Sequence, residues 1–166
     1  MISRLPSLGP RGEGWVVAQL VLFALIGATG LAALAGRPGG PWPLAGPGPV
    51  AGLVGIGAIA AGGLVVLRAA WDLRASLSPF PRPVDGAELV AHGAFRRVRH
   101  PIYSGILLAA AGWALVAGSL VTLALAGLLA VLFDAKSRRE EAWLSAAFPG
   151  YAAYRARTKR FVPGVY

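Results

Sequence analysis

Arg96-Arg97-Val98-Arg99-His100-Pro101-Ile102-Tyr103-Ser104-Gly105 and, thirty-five positions further on, Glu140-Glu141 are the residues whose types and spacing point to chemistry. Pro101 suits the first turn of a helix, where its missing N–H is no loss. Arg99 and His100 then fall at a helix N-terminus, where free backbone N–H groups and the positive dipole end favour an anion. Glu140 and Glu141 suit an ammonium group or a hydroxyl. Held face to face, the two clusters would fit a zwitterion of the amino-acid kind. The bland alternative is that these residues pair with one another and anchor helix ends at lipid headgroups. Spacing alone does not choose between the two.

What would bring the clusters together is the segment between them. Ile102 to Phe133 is uncharged, and 32 residues as one helix would run about 48 Å against a hydrocarbon core of roughly 30 Å. The segment must turn, and Ala117-Gly118-Ser119 offers the place. From Gly118, His100 lies about 27 Å back along one helix and Glu140 about 33 Å forward along the other. A hairpin of this kind returns both clusters to one surface within about one helical turn of each other.

Composition points to the bilayer independently, with 56% hydrophobic and 14% charged residues. Val16–Ala35 and Val50–Leu67 are two further uncharged runs of spanning length. The expected fold is therefore all-α and polytopic, one integral membrane domain over 1–166 with four transmembrane helices at 16–35, 50–67, 101–116 and 120–133. The fourth should continue as a cytosolic helix to about 148, with 76–99 forming a pocket loop, 1–15 a tail and 149–166 a basic-aromatic tail. Two Arg, an apolar run and Ala33-Leu34-Ala35 imitate a signal peptide, but the run exceeds the usual signal core and reads as a retained helix.

The net charge of +9 sorts by topology. With four crossings and both termini cytoplasmic, 15 of the 16 Lys and Arg fall on one side, Arg37 being the exception. That is the positive-inside distribution, and it removes the nucleic-acid reading of a basic chain. None of the apolar runs contains Asp, Glu, Lys, Arg or His. This argues against a proton-coupled transporter, which would carry an ionisable group inside a span. The absence of Cys excludes disulfides, thiolate metal sites and thiol nucleophiles, and no metal site is expected.

Smaller signals fill in the frame. Gly39 to Pro49 is a Gly/Pro loop with Trp42 suited to the interface. Gly52, Gly55, Gly57, Gly62 and Gly63 allow a close helix neighbour, or a cofactor lying against the helix. Ser78-Pro79-Phe80-Pro81-Arg82-Pro83 is rigid and extended, and Pro149-Gly150 should end helix four.

The run Gly93-Ala94-Phe95-Arg96-Arg97-Val98-Arg99-His100-Pro101-Ile102-Tyr103-Ser104-Gly105, the apolar hairpin and Glu140-Glu141 resemble the two-part signature of the isoprenylcysteine carboxyl methyltransferase family. The same signature occurs in phospholipid N-methyltransferases and, in related form, in certain sterol reductases. Pro79 to Pro83, Gly86 to Val90, Phe148 to Tyr154 and Arg157 to Pro163 extend the likeness to about Leu53–Pro163. Gly93-Ala94-Phe95 departs from the Gly-Pro-Tyr or Gly-Pro-Phe turn common in the family.

The resemblance implies an S-adenosylmethionine-dependent methyltransferase with a cofactor pocket open to the cytosol. The acceptor would be a lipophilic small molecule or lipid reached from the bilayer, in a bacterial inner membrane. By matched position His100 and Tyr103, beside Arg99, would meet the cofactor's methionyl end. Glu140 and Glu141 would bind its polar groups, and the backbone around Leu89, Val90 and Gly93 would line the adenosine side. Arg157 and Arg160 would position an acidic acceptor or meet headgroups, with Tyr151 and Tyr154 in packing roles. His100 should act as a neutral positioning group, since Arg96, Arg97, Arg99 and the helix dipole would oppose its charging. A nicotinamide-dependent reductase and a non-catalytic scaffold are the competing classes. Neither the acceptor's identity nor the oligomeric state is written in the sequence.

Overall fold

A computed structural model describes residues 8–36, 49–82, 86 and 88–166. Most of the Gly/Pro loop, Trp42 included, lies outside them, as do Pro83–Asp85 and Ala87. Among the described residues five α-helices follow one another: α1 (Glu13–Leu34), α2 (Pro49–Leu73), α3 (Pro101–Ala117), α4 (Leu120–Ala147) and α5 (Tyr151–Arg157). Short 3₁₀ turns stand at Arg74–Ser76 and Gly93–Arg96, and the described residues hold no strand beyond one isolated bridge. Three helices, α1, α2 and α4, are long and apolar enough to cross a membrane, while α3 is apolar but only 17 residues long.

The hairpin forms where the sequence requires it. Pro101 opens α3, and its far end is closed by Gly118 in the left-handed region at φ 59°, a conformation glycine adopts without steric cost. Ser119 then caps α4, its Oγ accepting from Thr122 N at 3.2 Å. Past Phe133 the same helix turns from apolar to charged without a break, and Phe148 closes it through a backbone bond to Leu144 O at 2.9 Å.

The short α3 is central and touches α1, α2 and α4. Its closest partner is the antiparallel α2, through two glycine pairs seven residues apart. A Cβ on Gly105 would stand 2.5 Å from Gly62 O, and one on Gly112 would stand 2.6 Å from Gly55 O. Side chains there would force the backbones apart, so small residues set the approach. Gly52, Gly57 and Gly63 have open space around them. On α1, Gly30 admits the Trp113 indole, which donates to Ile26 O at 3.0 Å. Outward faces carry exposed apolar side chains such as Val17, Leu20, Leu53, Ile56, Leu64, Leu128 and Val131, as suits a surface solvated by lipid.

The C-terminal residues are more than a tail. Beyond α5, Lys159 and Arg160 run parallel to Val98–His100, with Arg99 N donating to Lys159 O at 2.8 Å and His100 N to Arg160 O at 3.0 Å. Phe161 packs into the core with Phe133, Leu129 and Leu22, and Ser104 Oγ donates to its carbonyl at 2.7 Å. The last residues therefore brace the start of α3.

Candidate functional site

The start of α3, the charged half of α4, α5 and the residues Leu77–Pro81 and Glu88–Val90 enclose a cavity of about 370 Å³. Each side chain is held by its own element. His100 immediately precedes α3 and is 5% exposed. Its ring stacks on Tyr103, one turn further on, with centroids 5.4 Å apart and planes 2° from parallel. Tyr103 Oη donates to Glu140 Oε2 at 2.9 Å, and His100 Nδ1 lies 3.7 Å from the same oxygen. The two clusters flanking the apolar stretch thus meet, and of the Glu140-Glu141 pair it is Glu140 that lines the cavity, as Glu88 also does.

Glu141 turns the other way and does not line the cavity. Its carboxylate receives Arg99 Nε at 2.9 Å, Arg160 Nε at 3.1 Å and Arg160 Nη2 at 3.3 Å. His100 Nε2 lies 3.2 Å from Oε1, and Arg155 Nε lies 3.7 Å from Oε2. Burial alone would push this carboxyl up, but the hydrogen bonds from His100, Arg160 and Arg99 hold it well below the usual carboxylate range. Arg160 continues the cluster to Asp134 at 2.8 Å, and the Tyr166 hydroxyl donates to the same Oδ1 at 2.7 Å.

These placements revise three expectations, the first being that Glu141 lines the pocket beside Glu140, since the arginines turn it into the ion cluster. The charged groups nearest His100 are carboxylates, because Arg96 and Arg97 are exposed and Arg99 pairs with Glu141. Arg99 and Arg160 meet the same Glu141 Oε1 as His100 Nε2, so the cations beside the ring are paired ones. Arg160 is buried in an ion cluster, away from headgroups and outside the cavity lining. Arg157 is exposed, with Nε donating to Ala153 O at 3.2 Å.

Leu89 and Val90 line the apolar end of the cavity with Phe95, Leu144 and Phe148. Gly93 lies behind them at φ +57°, where a Cβ would collide with the Asp72 carboxylate. That carboxylate accepts from Ala94 N at 2.8 Å and pairs with Arg68 at 3.1 Å, which fixes the turn carrying Phe95. Arg99 lines the cavity too, its Nε engaged by Glu141 and its Nη1 by the carbonyls of Thr158 and Arg155.

Sequence reasoning missed Lys136, Gln19 and Tyr151, all of which line the cavity. Lys136 is buried, with Nζ donating to Gln19 Oε1 at 2.7 Å and Pro79 O at 2.9 Å, 5.3 Å from the Tyr103 ring centroid. The signal was there, since Lys136 precedes Glu140 by one helical turn and shares its face. Tyr154 packs as expected, its hydroxyl donating to Phe95 O at 2.8 Å. Burial pushes both phenols up, Tyr154 to about 12 and Tyr151 further.

A second, open groove of about 750 Å³ lies between α1 and α2 over α3, lined by apolar residues such as Phe23, Leu67 and Trp113. Ile106 borders both this groove and the cavity.

A sequence model of the phospholipid methyltransferase family matches residues 50–150. A cobalt-zinc-cadmium resistance protein, CzcN, from Cupriavidus metallidurans is 40% identical over 76 residues, covering 45% of this chain and 35% of that protein. The chain thus spans about a third of the length of that curated relative. No solved structure matches.

Proposed function

The chain belongs to the phospholipid methyltransferase family, and we propose that it transfers a methyl group from S-adenosylmethionine to a lipophilic acceptor at the cytosolic face of the membrane. The observation that carries this reading is the cavity itself. Arg99, His100, Tyr103 and Glu140 stand at its charged end, Leu89, Val90, Phe95 and Phe148 at its apolar end. At about 370 Å³ it falls within the range of roughly 300–1,000 Å³ usual for small-molecule sites. A ligand with an amino-acid head and an aromatic base suits both ends. Glu140 would take the ammonium, and Arg99 with the N-terminal end of α3 the carboxylate. Leu89 and Val90 would lie against the adenosine. Glu141 and Arg160 would act indirectly, holding Arg99 and His100 in place.

Bound S-adenosylmethionine supplies an electrophilic methyl on a sulfonium. The protein's part is then orientation and exclusion of water, and an acceptor that arrives anionic needs no general base. Lys136, bonded among the described residues to the neutral oxygens of Gln19 and Pro79, supports an anionic acceptor atom over a protonated amine. The apolar groove between α1 and α2, sharing Ile106 with the cavity, supports an acceptor with a hydrocarbon tail in the bilayer.

In the membrane the reading is four crossings with both termini cytoplasmic, the 15-to-1 division of basic charge supporting the orientation. At about 25 Å α3 is short for a span, and its place amid α1, α2 and α4 lets protein meet its ends. Modification of Ala153→Cys from outside intact cells would refute this topology. The acceptor is found by incubating the purified protein with methyl-labelled S-adenosylmethionine and host membrane extract. A labelled lipid-soluble product supports the proposal. Retention of all label in the cofactor, with saturable binding of NADPH instead, overturns it.

A further inference from the structure

Tyr151 and Tyr154 are neighbours on one face of α5 and look interchangeable in the sequence. Both are buried, at 1% and 5% exposure, both belong to the apolar cluster of Ala69 and Phe95, and their rings meet edge to face at 5.9 Å. Their hydroxyls differ. Tyr154 Oη donates to Phe95 O at 2.8 Å, whereas among the described residues no partner reaches Tyr151 Oη. A buried polar group without a partner is costly to keep, and native structures seldom do so without a reason. Two other buried side-chain atoms share this condition, Trp15 Nε1 and Arg139 Nε, but neither residue lines the cavity. Tyr151 does. Its phenol is held neutral by burial, so it has a proton to donate. Around it stand Leu89, Val90, Phe95, Leu144 and Phe148, a wall suited to a flat aromatic ring.

We propose that Tyr151 is a ligand-binding residue whose hydroxyl donates a hydrogen bond to the nucleoside end of the cofactor. The assignment rests on the reading of the cavity as an S-adenosylmethionine site. It separates two tasks within that site: Glu140, Arg99 and His100 hold the amino-acid head, while Tyr151 supplies a directional polar contact in an otherwise apolar wall. Loss of one such bond should weaken binding up to about tenfold.

The test uses the purified full chain in detergent and the substitution Tyr151→Phe, which removes one oxygen and keeps the ring. Two probes are titrated by calorimetry: S-adenosylhomocysteine, and 5′-methylthioadenosine, which has the nucleoside but no amino-acid head. The expected result is a similar loss of affinity for both probes, with the unbound protein's thermal midpoint unchanged or raised, because an unsatisfied group has been removed. Tyr154→Phe, which breaks a made hydrogen bond, should instead lower that midpoint. Unchanged affinity for both probes in Tyr151→Phe overturns the proposal. A loss confined to S-adenosylhomocysteine overturns the nucleoside assignment by moving the hydroxyl to the other end. A fall in the unbound midpoint matching that of Tyr154→Phe makes the hydroxyl structural. Failure of the unsubstituted protein to bind either probe refutes the cofactor reading itself, and this inference with it.

Discussion

Glu140 and Glu141 are adjacent in the chain and opposite in circumstance. Glu140 is one-quarter exposed and shares Oε2 with Tyr103 and, more distantly, His100 at the cavity wall. Glu141 is 3% exposed at its side chain and ringed by Arg99, His100, Arg160 and Arg155. Successive residues on a helix point about 100° apart, so one carboxylate can face a ligand while the next ties together α3, α4 and the C-terminal segment. The first arrangement leaves capacity for something to bind. The second is a closed cluster that holds Arg99 and, together with Asp134, Arg160. A pair of carboxylates that reads as one motif thus divides into a cavity-lining group and a positioning group.

Removing the positioning group should have the largest effect. Glu141→Ala leaves the largely buried Arg99 side chain without its carboxylate and Arg160 with Asp134 alone, and breaking such a cluster from one side costs about 3–5 kcal/mol. Thermal unfolding in detergent should show a large fall in midpoint, and a wild-type midpoint would show the cluster to be idle. The same group makes an acid prediction. Its folded-state pKa lies below the unfolded value of 4.5, so its contribution is complete above that pH and is lost as pH falls further. Glu141→Gln should flatten the stability profile below pH 4.5, and an unaltered profile would assign the acid sensitivity elsewhere.

A second contrast lies in the glycines of α2 and α3. Gly105→Ala places a Cβ against Gly62 O and Val66, an overpacking worth about 1–3 kcal/mol. Gly57→Ala meets open space and should be neutral or stabilising by up to about 1 kcal/mol through helix propensity. Equal thermal midpoints for the two variants would mean that α2 and α3 do not approach through this seam.

Much of the frame was legible because it depends on local chemistry. Gly118 and Ser119 turn and cap the hairpin, Pro101 opens α3, Pro149-Gly150 follows α4, and the spacing brings Glu140 to Tyr103. What escaped depends on rotation about a helix axis or on contacts distant in sequence. Nothing local in Lys159-Arg160 announces that it pairs with Val98–His100. Without that pairing Arg160 reads as a headgroup ligand rather than as a partner of Glu141. The glycines of α2 likewise signalled close approach but not which of them make it. Lys136 was counted as a cytosolic charge because a charge pattern gives a side, not a burial.

The claim that most depends on the contrast is that the cavity beside Glu140 is the cofactor site, and calorimetric titration with S-adenosylhomocysteine tests it most directly. The unsubstituted protein should bind one equivalent. Glu140→Gln, which loses the negative charge on a partly exposed group, should bind at least about tenfold more weakly, consistent with the roughly 1.5–3 kcal/mol of a charged hydrogen bond. Its thermal midpoint should stay close to that of the unsubstituted protein. Equal affinity in both proteins, or no binding by either, would contradict the account.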